Sequence, residues 1–279
     1  MKTLDILADK TNIPITAAWN LSVLTEAQDK LQRFTKQLPQ LKGLQKRALI
    51  ESAISSNRIE GVTIDYSRID IVLFGNAPLQ DSDEREVRGY ADALTVIHQQ
   101  AEKLPVSEQT ILRLHRLSRS NVGDAGQYKR KDSEIIEKYP DGRERVRFKP
   151  VSAQETPVFM GRLIEAWQQC QEGDRIHPLT AMAAMSLDFL CIHPFRDGNG
   201  RVSRLLLLLL CSHLGYDVGR YVSLERLIEE NKERYYETLD QSSRGWHEGR
   251  HDPWPYINFI LLILKSAYRG FKEMESNLL

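Results

Sequence analysis

An all-α fold with one small β-hairpin is the class this sequence predicts, and three observations predict it. Apolar residues recur at spacings of three and four along almost the whole chain, the period of a helix with one buried face. Leu205 to Leu210 is an unbroken run of six leucines followed by Cys211, and a helix apolar on every side is a buried one. Around Tyr139-Pro140-Asp141-Gly142, short apolar runs flank a turn signal, the pattern of a hairpin.

The elements follow in order. Leu24, Ala27, Leu31, Phe34 and Leu38 share a helical face that ends before Pro39. Leu44, Ala48, Leu49, Ser52 and Ala53 carry a second helix toward Ser56. Val87, Tyr90, Leu94, Ile97, Ala101 and Leu104 give a long amphipathic helix closed by Pro105, and Leu112, His115 and Arg119 lie on one face of another. Ser133–Glu137 and Glu144–Phe148 are the two strands. Phe159, Leu163, Ala166, Trp167 and Cys170 repeat the helical pattern, and Met182, Met185, Phe189 and Ile192 run directly into His193. Residues 199–214 read as the central helix. Leu224, Leu227, Ile228, Asn231 and Tyr235 read as one helix, and Ile257, Ile260, Leu261, Leu264, Ala267 and Phe271 as the last.

The chain has 279 residues, 41% of them hydrophobic, enough for one large domain or two small ones. Its 38 basic and 38 acidic residues cancel, which argues against direct nucleic-acid binding. Cys170, Cys191 and Cys211 are odd in number, widely spaced and set in apolar helices. They read as reduced core residues of a cytoplasmic protein without zinc-binding spacing. The N-terminus lacks a basic stretch followed by an apolar run, so a signal peptide is not expected. The leucine run is too short for a bilayer, so neither is a membrane partner.

The stretch with the most chemistry is His193-Pro-Phe-Arg-Asp-Gly-Asn-Gly-Arg-Val-Ser-Arg204. Flanked by helices, it is expected to form a loop running into a helix N-terminus, which binds anions through backbone alone. His193 titrates near neutrality and is the natural general base. Asp197 is a hard oxygen ligand suited to Mg²⁺. Gly198 and Gly200 let backbone N–H groups approach an anion. Asn199 adds an amide donor, and Arg201 and Arg204, three apart, can clamp phosphates. Singly, each group also suits a structural role. A zinc site from His177, His193, Asp197 and His213 fits no common ligand spacing.

The string resembles the signature of the Fic family, His-Pro-Phe-x-Asp/Glu-Gly-Asn-Gly-Arg-x-x-Arg, at every defined position. The resemblance implies a mostly helical protein that transfers AMP from ATP to a hydroxyl side chain of a target protein. Ser55-Ser56-Asn57-Arg58-Ile59-Glu60-Gly61 resembles the family's inhibitory motif. Alternatively it is a plain helix end with Gly61 as its left-handed cap. Carried over, Glu60 pairs with Arg204 and denies it to the ATP γ-phosphate, with Ser56 on the same helical face.

Other features follow from the same resemblance. The hairpin corresponds to a flap that covers the site and pairs with an extended target segment. Its positive cluster of Lys129, Arg130, Lys131, Arg143, Arg145 and Arg147 suits acidic targets, or is simply a solvated face. Asn231, Tyr235, Tyr236 and Leu239 resemble the helix closing the adenine pocket. Adjacent Tyr235 and Tyr236 are not expected to face that pocket together. ATP phosphates would lie over Gly198–Arg201, with Mg²⁺ on Asp197 and Asn199 at the α-phosphate. Arg201 and Arg204 would hold the β- and γ-phosphates, and His193 would take the proton of a Ser, Thr or Tyr hydroxyl.

The expected organisation is a helical extension over 1–40 and a Fic domain over 41–250. That domain includes the inhibitory helix (about 44–60) and the flap (about 132–149). A C-terminal helix over 251–279 suits a short or truncated form without the winged-helix module of longer relatives. Self-association in several members adds a homodimer to the expectations. The readings to separate are an autoinhibited adenylyltransferase, a hydrolase removing AMP with the same site, and a non-catalytic nucleotide-binding regulator.

Overall fold

Twelve α-helices and one two-stranded sheet make up the described residues of the computed structural model. The structure describes residues 1–9, 12–35, 41–120, 123–138, 142–173 and 175–276. Leu38, Pro39 and the turn residues Tyr139, Pro140 and Asp141, all used in the sequence reading, lie outside them.

The centre is a pair of buried helices, α8 (Pro178–Ile192) and α9 (Asn199–His213), joined by the His193–Gly198 loop. Every leucine of the 205–210 run is buried, at roughly 1.5–3 kcal/mol for each fully buried side chain. Around the pair pack α3 (Lys42–Ile59), α5 (Ser82–Gln100), α6 (Glu108–Ser118) and α7 (Thr156–Glu172). The outer layer includes α1 (Lys2–Asp9) on α8 and α2 (Ile15–Thr35) on α12 (Trp254–Ser276). Leu4, Leu7, Leu21 and Leu24 join the same hydrophobic core as the central helices. Among the described residues, no helix is long and apolar enough to cross a membrane.

Local chemistry sets the ends that matter for the site. Asp81 caps α5 by accepting from Glu84 N–H (2.8 Å), and Ser107 caps α6 through Thr110 N–H (3.2 Å). α3 closes in a Schellman motif: Val62 N–H donates to Asn57 C=O (3.0 Å) and Gly61 N–H to Arg58 C=O (3.1 Å). Gly61 sits at φ +85°, the left-handed conformation that glycine adopts without strain. Gly61 is therefore the left-handed cap of a helix end, which places Glu60 at the C-cap of α3, while Ser56 is buried.

The hairpin forms as expected: β1 (Ile135–Lys138) pairs antiparallel with β2 (Glu144–Phe148), with a bulge at Ile135/Ile136. It rests on α11 (Lys232–Ser243). One expected element is corrected. The helix drawn through Leu224, Asn231 and Tyr235 is two helices, α10 (Leu224–Glu230) and α11, broken at Asn231 (φ −117°, ψ 30°). The Asn231 side-chain amide donates to Leu227 C=O (2.8 Å), the local competition by which asparagine interrupts a helical ladder.

Candidate active site

The loop between α8 and α9 is held from several sides. His193 ends α8 in a left-handed conformation (φ +51°), unusual for a residue with a side chain. Lys129 fixes it there: its ammonium donates to the carbonyls of Ile192 (3.2 Å) and His193 (2.9 Å), and its backbone N–H to Pro194 C=O (2.8 Å). Phe195 is fully buried and stacks on His115 at 3.7 Å between ring centres. His115 Nδ1 accepts from Gly126 N–H (2.9 Å), so in the neutral ring Nε2 carries the hydrogen and donates to Asp197 C=O (3.0 Å). Burial, chiefly, lowers the His115 pKa to about 4, which keeps that tautomer.

His193 carries a half-buried ring. Burial first, and the Lys129 charge second, lower its pKa to about 4, so the ring is neutral at pH 7. Its Nδ1 lies 3.4 Å from Leu190 C=O. A hydrogen on Nδ1 leaves the Nε2 lone pair free to accept a proton.

Arg204 is 2% exposed and is met by the end of α3. Nε donates to Ser56 Oγ (2.9 Å), and Nη2 to Ser56 C=O (2.9 Å) and Glu60 Oε1 (2.7 Å). Glu60 retains 31% side-chain exposure. Arg204 Nη1 is buried without a hydrogen-bond partner, an orphan donor of the kind an anion satisfies. Gly200 makes the contact sterically feasible, since a Cβ at that position would collide with the Glu60 carboxylate.

Arg201, expected beside Arg204 on the phosphates, points elsewhere. It is 2% exposed, donates to Glu86 (2.6 Å) and Asn57 (3.2 Å), and does not line the cavity. Glu86 also binds Arg119, whose Nη1 lies 2.7 Å from Asp197 Oδ2. Asn199, expected at the α-phosphate, instead staples the loop: Oδ1 accepts from Phe195 N–H (2.9 Å) and Nδ2 donates to Phe195 C=O (2.8 Å). Gly198 caps α9 at φ +83°. The first-turn N–H groups of Asn199, Gly200 and Arg201 have no intrahelical acceptor by position. The exposed Asp197 carboxylate is the donor available to Mg²⁺. One carboxylate with phosphate oxygens and water suits that ion, so the residues fit it once Arg119 yields Oδ2.

Glu60, His193, Gly200 and Arg204 line a cavity of about 220 Å³ together with Leu190, Cys191, Tyr235, Tyr236 and Leu239. Both tyrosines reach it, against expectation. Tyr235 is buried and Tyr236 half-buried, with their rings 5.3 Å apart. Asn231 is exposed at the helix break and takes no part.

The sequence reading expected the hairpin over the site without placing its Ile135, Arg147 and Phe148 in the cavity lining, and it missed Ser243. Ser243 continues the Tyr236–Leu239 stripe by one more turn, a signal that spacing could have supplied. The positive cluster on the hairpin is largely engaged: Lys129 in the loop, Arg147 with Asp240 (3.4 Å) and the Tyr236 carbonyl, and Arg145 with Glu137 (3.7 Å) and Asp240 (3.8 Å).

A family model for the Fic/DOC family matches residues 105–211. "Protein adenylyltransferase Fic" of Drosophila mojavensis is 26% identical over 246 residues, covering 86% of this chain and 44% of that protein. The Nematostella vectensis protein of the same name is 24% identical, covering 86% and 52%. The chain thus spans about half the length of the curated relatives it matches. Among solved structures, a Fic family protein from Desulfovibrio desulfuricans superposes with a TM-score of 0.75 at 23% identity, covering 95% of this chain and 76% of that one. Fic-1 from C. elegans superposes at 0.71 and 20% identity, covering 99% and 82%.

Proposed function

We propose, from the match of residues 105–211 to the Fic/DOC family model, a protein adenylyltransferase that uses ATP, acts on a hydroxyl-bearing protein and is held in check by Glu60. The observation that carries this reading is the 2.7 Å contact of Glu60 with Arg204 in the cavity that His193 also lines. A carboxylate on a phosphate-binding guanidinium both satisfies the cation and repels the ligand.

The chemistry follows from the side chains. The adenine occupies the apolar side formed by Leu190, Tyr235, Tyr236 and Leu239. The phosphates run over the α9 N-terminus, where aligned N–H groups favour negative charge. His193 Nε2 removes the hydroxyl proton of a Ser, Thr or Tyr on the target. That oxygen bonds to the α-phosphorus, the bond to the bridging oxygen breaks, and pyrophosphate leaves. Mg²⁺, held by Asp197, would neutralise phosphate charge when bound. Arg204, once freed of Glu60, holds the terminal phosphate. Arg201 holds the α9 N-terminus in place instead of touching nucleotide. Free Cys170, Cys191 and Cys211 support a reducing, cytoplasmic setting.

ATP labelled at the α-phosphorus tests the reading. Glu60→Gly is expected to raise label transfer to protein, and His193→Ala in that background to abolish the gain. A hydrolase would instead lose AMP release in Glu60→Gly and gain no label. A non-catalytic regulator would show neither change.

A further inference from the structure

The inhibitory helix α3 is gripped from behind by a second helix. Three side chains of α10 each engage a different residue of α3. Glu225, 1% exposed, accepts from Ser52 Oγ (2.7 Å) and from the Tyr90 hydroxyl of α5 (2.8 Å), with Ser223 Oγ at 3.4 Å. Arg226 reaches Glu51 (3.2 Å), and Glu229 accepts from Arg58 (3.3 Å). Ser52 lies one turn before Ser56, the residue that receives Arg204. A polar strip therefore runs along α3, from Ser52 on Glu225 and Tyr90 to Ser56 one turn later, and on to Arg204 and Glu60.

The energetics favour a clasp over simple packing. A buried carboxylate persists only while hydrogen bonds satisfy it. Moving α3 away would take Ser52 from Glu225 and leave a buried acceptor short of a partner, which is costly. The connection also runs forward. α10 passes through the break at Asn231 directly into α11, whose Tyr235, Tyr236 and Leu239 line the cavity. The helix that holds the inhibitor and the helix that walls the cavity are thus consecutive.

We infer that Glu225, aided by Arg226 and Glu229, is a positioning residue for the inhibitory helix, and that the strength of this clasp sets how readily Arg204 is freed for nucleotide. The inference rests on the reading of Glu60 as an inhibitor. The groups facing Glu225 are Ser52, Tyr90 and Ser223, so removing its charge or one hydroxyl loosens the clasp without touching the cavity lining.

The test measures ATP affinity by calorimetry with Mg²⁺, and label transfer from ATP, on the full chain. Glu225→Gln and Ser52→Ala are each expected to tighten ATP and raise transfer roughly five- to twentyfold, within the usual span of site coupling. In a Glu60→Gly background neither is expected to change either quantity, a dependence that a merely structural role would not produce. Thermal melting establishes that each variant is folded. Should Glu225→Gln melt below the assay temperature, Ser52→Ala decides alone, since it deletes a single hydroxyl. If Glu60→Gly tightens ATP while folded Glu225→Gln and Ser52→Ala match the wild type, the clasp is refuted and the inhibitor reading stands. If the two substitutions weaken binding equally in both backgrounds, the clasp is likewise refuted. If Glu60→Gly itself changes nothing, the inhibitor reading fails and this inference with it.

Discussion

Arg201 and Arg204 stand three residues apart on one helix, are equally buried, and meet opposite circumstances. Arg204 lines the cavity and is paired with a carboxylate that remains partly exposed, while each arginine keeps one buried nitrogen without a partner, Nη1 in Arg204 and Nε in Arg201. Arg201 is turned away, pinned between Glu86 on α5 and Asn57 on α3. Residue type and spacing made them look like a pair of phosphate ligands. Their partners make one a site that a ligand can claim and the other a joint that holds three helices together. A charge pair acts as a switch only where water and ligand can reach it.

The comparison can be sharpened first on the cavity side. In a Glu60→Gly background, His193→Ala is expected to lower transfer by at least ~10²–10⁴-fold, the usual worth of a general base. Because the ring makes only one long hydrogen bond, unfolding in urea is expected to stay nearly unchanged. Retained transfer would remove the base assignment.

The joint is tested next. Glu86→Ala leaves Arg201 and Arg119 without their shared carboxylate and is expected to cost about 3–5 kcal/mol in urea unfolding, as for a broken buried pair. Glu60→Gly leaves Arg204 beside an accessible cavity and is expected to cost about 1 kcal/mol, nearer the range of solvent-accessible pairs. Equal costs would erase the distinction between joint and switch.

Acid provides a smaller test. The folded-state pKa of His193 lies below its ordinary 6.5, at about 4. Its base form therefore persists as pH falls through 6.5 and is lost only near 4. The rate of the Glu60→Gly variant is expected to stay level from pH 8 to 6, where a histidine of ordinary pKa would already have lost over half its activity. Asn231→Ala should matter least. At an exposed helix break outside the cavity, it is expected to change ATP affinity by no more than about twofold, as surface substitutions usually do.

Much of this was legible because it is local. The leucine run declared the central helix, and twelve contiguous residues declared the loop. Glu60 was found because Ser56, Glu60 and Gly61 form a short motif of their own. What escaped was long-range pairing. Nothing near Arg201 in sequence marks Glu86, 115 residues away, and nothing marks Lys129 as the support of His193, 64 residues on. Asn199 was read toward phosphate because an amide suits a phosphate and a backbone equally well, and only geometry shows that both its ends meet the Phe195 backbone. Asn231 ended a helix that periodicity carried straight through it.

The central claim is that Glu60 excludes nucleotide from Arg204, and calorimetric titration of ATP into the wild type and Glu60→Gly, with Mg²⁺ present, tests it most directly. The account predicts that Glu60→Gly binds ATP roughly tenfold tighter or more, a coupling of ordinary size between two ligands of one site. Equal affinity in the two proteins would contradict it.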